Sequence, residues 1–243
     1  MTLLVFGSAR SSPGATTTAL AVSSWIDDSV VVEADPDGGV LAVRYGLARE
    51  PGLVTLAASR SLGEEGLLGH AQALPGGTPV VVAPESAERA TNIWRVSGSG
   101  LVAMLGSVSE HVVVVDGGRL GPTSPSLSLL PHASVVAVVA RPEPDQLLAA
   151  ADRIEAISAL GARAALVLVG DRPYTAAEVT AQLGCDVLGV IADDRRGANA
   201  LTDGGSTRSV RRSMLMRSAR GLAEHVTDIA HPHVQPQAEV VRR

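Results

Sequence analysis

Gly7-Ser-Ala-Arg-Ser-Ser-Pro-Gly-Ala-Thr-Thr-Thr18 follows the apolar run Leu3–Phe6 and leads into a helical pattern over Thr16–Trp25. A strand, a loop of small and hydroxyl residues and a hydroxyl-rich helix start suit a phosphate group. Free N–H groups at a helix N-terminus point at an anion, and the helix dipole favours it. A plain strand-to-helix loop with a threonine cap has the same outline, so the loop alone leaves both readings open. The common phosphate-loop pattern G-x-x-x-x-G-K-[ST] fits poorly, with Ala9 at its first glycine and Ala15 at its lysine.

Outward from the loop the same theme recurs. Val30–Glu33, Val80–Ala83, Val112–Val115, Val135–Ala140, Ala165–Val169 and Val187–Ile191 are nearly continuous in Val, Ile, Leu and Ala. Strands covered on both faces read this way, without polar alternation. Helical spacing falls between them at Glu88–Leu105, Asp145–Leu160 and Ala176–Leu183. The expectation is an α/β fold of three layers, a mostly parallel sheet with helices on both faces, joined by right-handed crossovers. A single domain is expected over 1–228, with 229–243 as a flexible tail. Ser61–Gly77 reads as irregular. Ser206–Val226 has helical spacing, decorated by Arg208, Arg211, Arg212, Arg217 and Arg220.

Composition narrows the chemistry. Of 243 residues 46% are hydrophobic and 2% aromatic, so a sizeable core must be filled by aliphatic side chains. The formal net charge of −5, with no long basic block, argues against a broad nucleic-acid footprint. The 20 residues counted as Lys or Arg are all arginine. Schiff-base catalysis and a phosphate-gripping lysine are therefore excluded. Cys185 is the sole cysteine and reads as core; Trp25 and Trp94 read as core or interface. His231 and His233 are too few for a metal site. No G-x-S-x-G elbow is present. Met1–Phe6 has no basic flank, and no apolar stretch reaches membrane-spanning length, so a cytoplasmic protein is expected.

Five motifs at strand ends resemble those of the ParA/MinD group of P-loop proteins, in order over nearly the whole chain. Arg10-Ser-Ser-Pro-Gly-Ala-Thr-Thr17 is similar to the deviant Walker A loop K-G-G-x-G-K-[ST]-[ST], with Gly14, Thr16 and Thr17 matching. Arg10 replaces the signature lysine, and Ala15 the lysine that grips the β- and γ-phosphates. Val31-Val-Glu-Ala-Asp-Pro-Asp-Gly38 resembles the second-strand motif, with Glu33 and Asp35 at its acidic positions. Val112-Val-Val-Val-Asp116 resembles a Walker B strand, followed by a switch-like Gly117-Gly118. Val167-Leu-Val-Gly170 resembles the strand that ends in an adenine-contacting Asn, with Gly170 and Asp171 there instead. Val187-Leu-Gly-Val-Ile-Ala-Asp193 resembles the late V-h-G-h-I-P-x-D strand.

The resemblance implies roles. Ser11, Ser12, Gly14, Ala15, Thr16, Thr17 and Asp116 would line a nucleotide site. Thr16, Asp35 and Asp116 would hold Mg2+, Asp35 would position water, and Arg10 would touch phosphate in its own subunit or across a dimer. Asp35 and Asp116 are expected on strands flanking the loop strand, and Glu33 is open to a structural role. Loss of a lysine's two charged hydrogen bonds costs about 3–6 kcal/mol, or roughly two to four decades of affinity. Binding of ATP or ADP with Mg2+ is thus expected to be weak or absent, and the chain a pseudo-ATPase.

Pro51-Gly-Leu53 and the Arg-rich ending after Arg211 look most like the CpaE/TadZ branch. That implies a homodimeric positioning or scaffold component of Tad-type pilus or secretion machinery, docked on a secretion ATPase or at a membrane or cell pole. A slow ATPase of chromosome partitioning or septum placement, and a scaffold that binds no nucleotide, are the alternatives. DNA is the less favoured partner, and the Arg-rich helix is read first as a surface helix packed on the sheet.

Overall fold

The computed structural model describes residues 2–10, 13–202 and 207–230, with side chains for all of these but 207–209. Ser11, Ser12, His231 and His233 lie outside them. Eight strands form one sheet: β1 (Thr2–Ser8), β2 (Ser29–Glu33), β3 (Gln72–Ala73), β4 (Pro79–Val81), β5 (Val112–Arg119), β6 (Val135–Ala140), β7 (Ala164–Val169) and β8 (Val187–Ile191). Their spatial order is β3-β4-β2-β5-β1-β6-β7-β8. Every pairing is parallel except that of the two-residue edge strand β3 with β4. All seven apolar runs are strands. β3, by contrast, lies inside the stretch read as irregular.

Both faces of the sheet are buried, which is why its strands read as unbroken apolar runs. Leu3 and Val5 of β1, Val30 and Val32 of β2 and Val136 and Val138 of β6 enter one core. Leu4 and Phe6, Val31, and Val135, Ala137 and Val139 enter the other. The first core is covered by α3 (Leu53–Ala58), α4 (Gly63–Leu68), α5 (Ala87–Gly106), α6 (Pro144–Ser158), α7 (Ala176–Leu183) and a 3-10 turn at Pro125–His132. The second is covered by α1 (Ala15–Ser23), α2 (Leu41–Tyr45), α8 (Arg195–Thr202), α9 (Thr207–Arg212) and α10 (Met214–Ala230).

The Arg-rich segment differs from a single helix. It divides at Ser213 into α9 and α10, and α10 runs to Ala230, two residues past the expected domain limit. One side chain organises the division. The Asp194 carboxylate accepts from Gly197 N (2.9 Å) in α8, and from Met214 N (2.9 Å) and Leu215 N (3.3 Å) in α10. Leu215, Met216, Ala219, Leu222, Ala223 and Val226 form the buried stripe of α10. Gly189 of β8 lets Leu222 close in: a Cβ there would stand 3.2 Å from its side chain. Trp94 is core, at 2% exposed. Trp25 is half-buried, with the Arg211 and Arg220 guanidinium groups over its ring, 5.1 and 5.6 Å from its centre. The apolar face of the Arg-rich helix thus packs on the sheet. Among the described residues no helix is long and apolar enough to cross a membrane.

Candidate functional site

β1 lies in the middle of the sheet between β5 and β6. The chain leaves it for α1 and β2 on one side and later crosses to β6 on the other. The loop after β1 therefore sits at a switch point, where open α/β sheets place ligands beyond their strand ends. Gly14 caps α1 with a left-handed backbone (φ 101°) that side chains disfavour. Ala15, Thr16 and Thr17 follow in the first turn and face different surroundings.

The Thr16 hydroxyl lies beside the Asp116 carboxylate on β5 and favours its charged form. Asp116 is 1% exposed and also accepts from Gly118 N at 3.2 Å. Burial, only partly offset by the Thr16 hydroxyl, and the nearby charges of Glu33 and Asp35 push its carboxyl up to about 7. Asp35 is half-buried against Gly118, two residues further along β5. Its Oδ1 accepts from Asp37 N at 2.9 Å, and burial raises its carboxyl above the ordinary aspartate value. Gly118 is required by this approach: its φ is +55°, and a Cβ would overlap the Asp35 carboxylate.

The expected strand order needs correction. Asp116 does lie on a strand flanking β1, but β2, which leads to Asp35, is separated from β1 by β5. Asp35 reaches the site because the loop after β2 folds over the end of β5.

Glu33, opposite Asp116 in the β2–β5 register, takes the structural role left open to it. Its Oε1 accepts from Val40 N (2.6 Å) and Leu41 N (3.0 Å), its Oε2 from Ala83 N (2.9 Å). It ties the end of β2 to the start of α2 and to the segment just after β4. Burial raises its carboxyl, and these three N–H groups oppose the rise. With both oxygens engaged, Glu33 is a fold clamp rather than a cation ligand.

Ala15 is 7% exposed, its methyl packed in the second core. Arg10 is exposed and has no ion pair within the described residues. Gly14 and Thr17 line a cavity of about 120 Å³ bounded by Arg141 and Asp193. Nothing in the sequence singles out Arg141, and Asp193 reads there only as part of a strand motif. Fifty-two residues separate them, and they meet as Nη1–Oδ2 at 2.7 Å and Nη2–Oδ1 at 3.3 Å. A wider cleft of about 610 Å³ lies beyond them at the ends of β6, β7 and β8, lined in part by Gly170 and Asp171. Half-buried Cys185 lies outside both, its thiol pushed up by burial and so poorly suited to nucleophilic work.

The donors present fit Mg2+. That ion takes one or two carboxylates and completes its shell with water or phosphate oxygens. A buried carboxylate raised toward neutrality beside a threonine hydroxyl lacks the positive charge such an ion supplies. Among the described residues no group of three or more His, Cys, Asp or Glu side chains forms a complete metal site. The fit is therefore to an ion that arrives with other ligands.

No protein-family model and no curated protein matches this sequence. Solved structures do. The ParA family ATPase of Chlorobium tepidum TLS superposes with a TM-score of 0.76 at 20% identity, over 93% of this chain and 98% of that one. The septum site-determining protein MinD of Pyrococcus horikoshii OT3, complexed with Mg-ADP, gives 0.76 at 14% identity, over 95% and 98%. An ATP complex of a Cyanothece McdA variant gives 0.64 at 15% identity, over 94% and 96%. The chain has the ParA/MinD type of P-loop α/β fold over nearly its whole length.

Proposed function

We propose that this chain is a degenerate ParA/MinD-like protein that positions or scaffolds a partner assembly, with weak nucleotide binding and little or no hydrolysis. One observation carries the reading. The side chains assigned to a cation, Thr16 beside Asp116 and Asp35 beside Gly118, lie near one another, while the lysine position is a buried methyl at Ala15. Cation contacts without the lysine support nucleotide-dependent docking better than turnover, since phosphoryl transfer rests on stabilising charge that develops at the phosphates.

A structure named as a MinC:MinD complex comes from Aquifex aeolicus; we carry over to this chain a protein partner and a homodimeric state. Mg2+ with ATP or ADP is the ligand, held at Thr16, Asp116 and Asp35, with Gly14, Thr17 and the flanking Ser11 and Ser12 along the phosphates. The resemblance of Pro51-Gly-Leu53 and of the Arg-rich ending favours Tad-type pilus or secretion machinery as the assembly. The protein would sit in the cytoplasm, peripheral to the membrane or pole.

Calorimetric titration with ATP and ADP, with and without Mg2+, tests the reading. Weak binding that requires Mg2+, with no turnover above buffer, is expected. Turnover abolished by Asp35→Ala would establish a slow ATPase of partition or septum placement. No heat up to about 1 mM nucleotide, where binding energy falls to about −4 kcal/mol, would leave a scaffold that binds none. Co-purification of a secretion ATPase supports the assembly assignment; enrichment of chromosomal DNA alone counts against it.

A further inference from the structure

We propose that Arg141 and Arg195, rather than the loop's own Arg10, supply the phosphate charge that lysine would have given, with Asp193 competing for Arg141 against the ligand. The inference rests on the nucleotide-binding reading above and names the residues that set its strength. The cavity of about 120 Å³ at the start of α1 is lined by Gly14, Thr17, Thr18, Arg141, Asp193 and Arg195. Two of these carry positive charge. α1 is nine residues long, and its first turn presents N–H groups there. A second feature points to a polar ligand: Thr18 is 1% exposed, yet its buried hydroxyl has no hydrogen-bond partner among the described residues. Such a group is costly to bury unless something completes it.

Arg141 and Asp193 stand at the boundary of two spaces. Both line the small cavity and both line the cleft of about 610 Å³ beyond. Their ion pair spans the end of β7, between the ends of β6 and β8. A ligand with its phosphates at α1 and a larger body in the cleft must pass this pair. The cleft has the size of a small-molecule pocket and the cavity alone does not. The pair is open to solvent, with side chains 36% and 49% exposed, and exposed pairs of this kind contribute little to folding. Arg141 is therefore free to exchange its carboxylate for a phosphate, which its planar fork grips in the same bidentate manner. Arg195, at the first position of α8, also attracts Asp193 and has the same choice.

The two members of the ion pair then act in opposite directions on affinity, which a purely structural clamp would not. The experiment is titration of Mg-ADP and of Mg-pyrophosphate into the full-length chain and into Arg141→Ala, Arg195→Ala, Asp193→Ala and Asp193→Asn, with thermal unfolding as a fold check. Each arginine variant should weaken ADP binding by about tenfold, the scale of one charged hydrogen bond. Both Asp193 variants should tighten it by about three- to tenfold. Pyrophosphate should follow the same signs with weaker overall binding, because it leaves the cleft empty; pyrophosphate alone binding would place the site on free phosphates. Shifts of Arg141→Ala and Asp193→Ala in one direction, or no shift while the parent chain binds, overturn the proposal and leave the nucleotide reading standing. A parent chain that shows no binding defeats that reading instead. ADP binding that then appears in Asp193→Ala supports the competition, and its absence at about 1 mM overturns it as well.

Discussion

The two faces of the first turn of α1 make unlike demands on the fold. Toward β5, Thr16 meets a carboxylate that is 1% exposed. One residue earlier, Ala15 is a packed methyl with no polar duty. The acidic face weakens the unliganded fold: a buried Asp116 raised to about 7 holds a charge at neutral pH only at a cost. The face without lysine costs nothing, because a methyl in a core needs no partner. The difference teaches that the cost to the unliganded fold lies on the side toward β5 and not at the lysine position.

The largest expected effect tests that cost directly. Asp116→Asn should stabilise the unliganded protein at pH 8, by up to about 4 kcal/mol for a shift from 3.8 to about 7. The sign follows from proton uptake. A carboxyl raised in the folded state binds more protons than in the unfolded chain, so its stability contribution is full below about pH 4 and lost as pH rises through about 7. Asn retains an acceptor for Gly118 N and a donor for Thr16. Urea unfolding at pH 4.5 and pH 8 reads the difference, which should shrink at the lower pH. Destabilisation of equal size at both values would mean that Asp116 acts as an ordinary hydrogen-bond anchor. Added Mg2+ should raise the parent's stability at pH 8 more than that of Asp116→Asn.

Glu33 gives the contrast within the acidic cluster. Like Asp116 it is 1% exposed, but its oxygens are met by three backbone N–H groups. Glu33→Ala orphans all three and should cost about 3 kcal/mol in urea unfolding, a few partly recovered hydrogen bonds. Its loss should leave the Mg2+ dependence of stability in place. Loss of that dependence would place Glu33 in the cation site after all.

These residues also show what the sequence could carry. Seven strands were legible because burial on both faces makes each an unbroken aliphatic run. β3 has two residues, Gln72 and Ala73, and owes its place to pairing with β4 rather than to any pattern. α2, α3 and α4 have five or six residues each, too few for a helical period to show. Thr16, Asp35 and Asp116 could be named because each falls in a spaced motif beside an apolar run, and the structure brings Thr16 beside Asp116. The position of β2 beyond β5 is a property of strand order, which no local spacing encodes. Arg141 escaped for the same reason, and Asp193 was legible only as the end of a strand motif: their pairing appears once β6, β7 and β8 align in space. The double capping of α8 and α10 by Asp194 depends on the same assembly.

A smaller effect concerns how Asp35 is held. Gly118→Ala must place a Cβ on the Asp35 carboxylate at a backbone angle, φ +55°, that side chains disfavour. A loss of about 2 kcal/mol is expected, combining overlap and backbone strain. Adding Asp35→Ala should recover part of it, since the two positions are in contact and their effects are coupled. No recovery would show that the backbone alone bears the cost, and that Asp35 is not pressed against the switch-like glycines.

The smallest expected effect returns to the methyl. Ala15→Lys restores the phosphate-gripping group, whose stem can follow the loop while its ammonium reaches solvent or ligand. Were nothing else supplying charge, ATP affinity would rise by roughly two to four decades. With Arg141 and Arg195 already lining the cavity beside Thr17, the gain should be only about tenfold. The comparison sharpens when the arginines are removed: in an Arg141→Ala, Arg195→Ala background the same lysine should return about a hundredfold. Unequal gains show that the two sides of the loop share one task, and that charge from β6 and α8 stands in for the lysine. Equal gains would separate them, leaving the face toward Asp116 as the part of the site that grips a ligand.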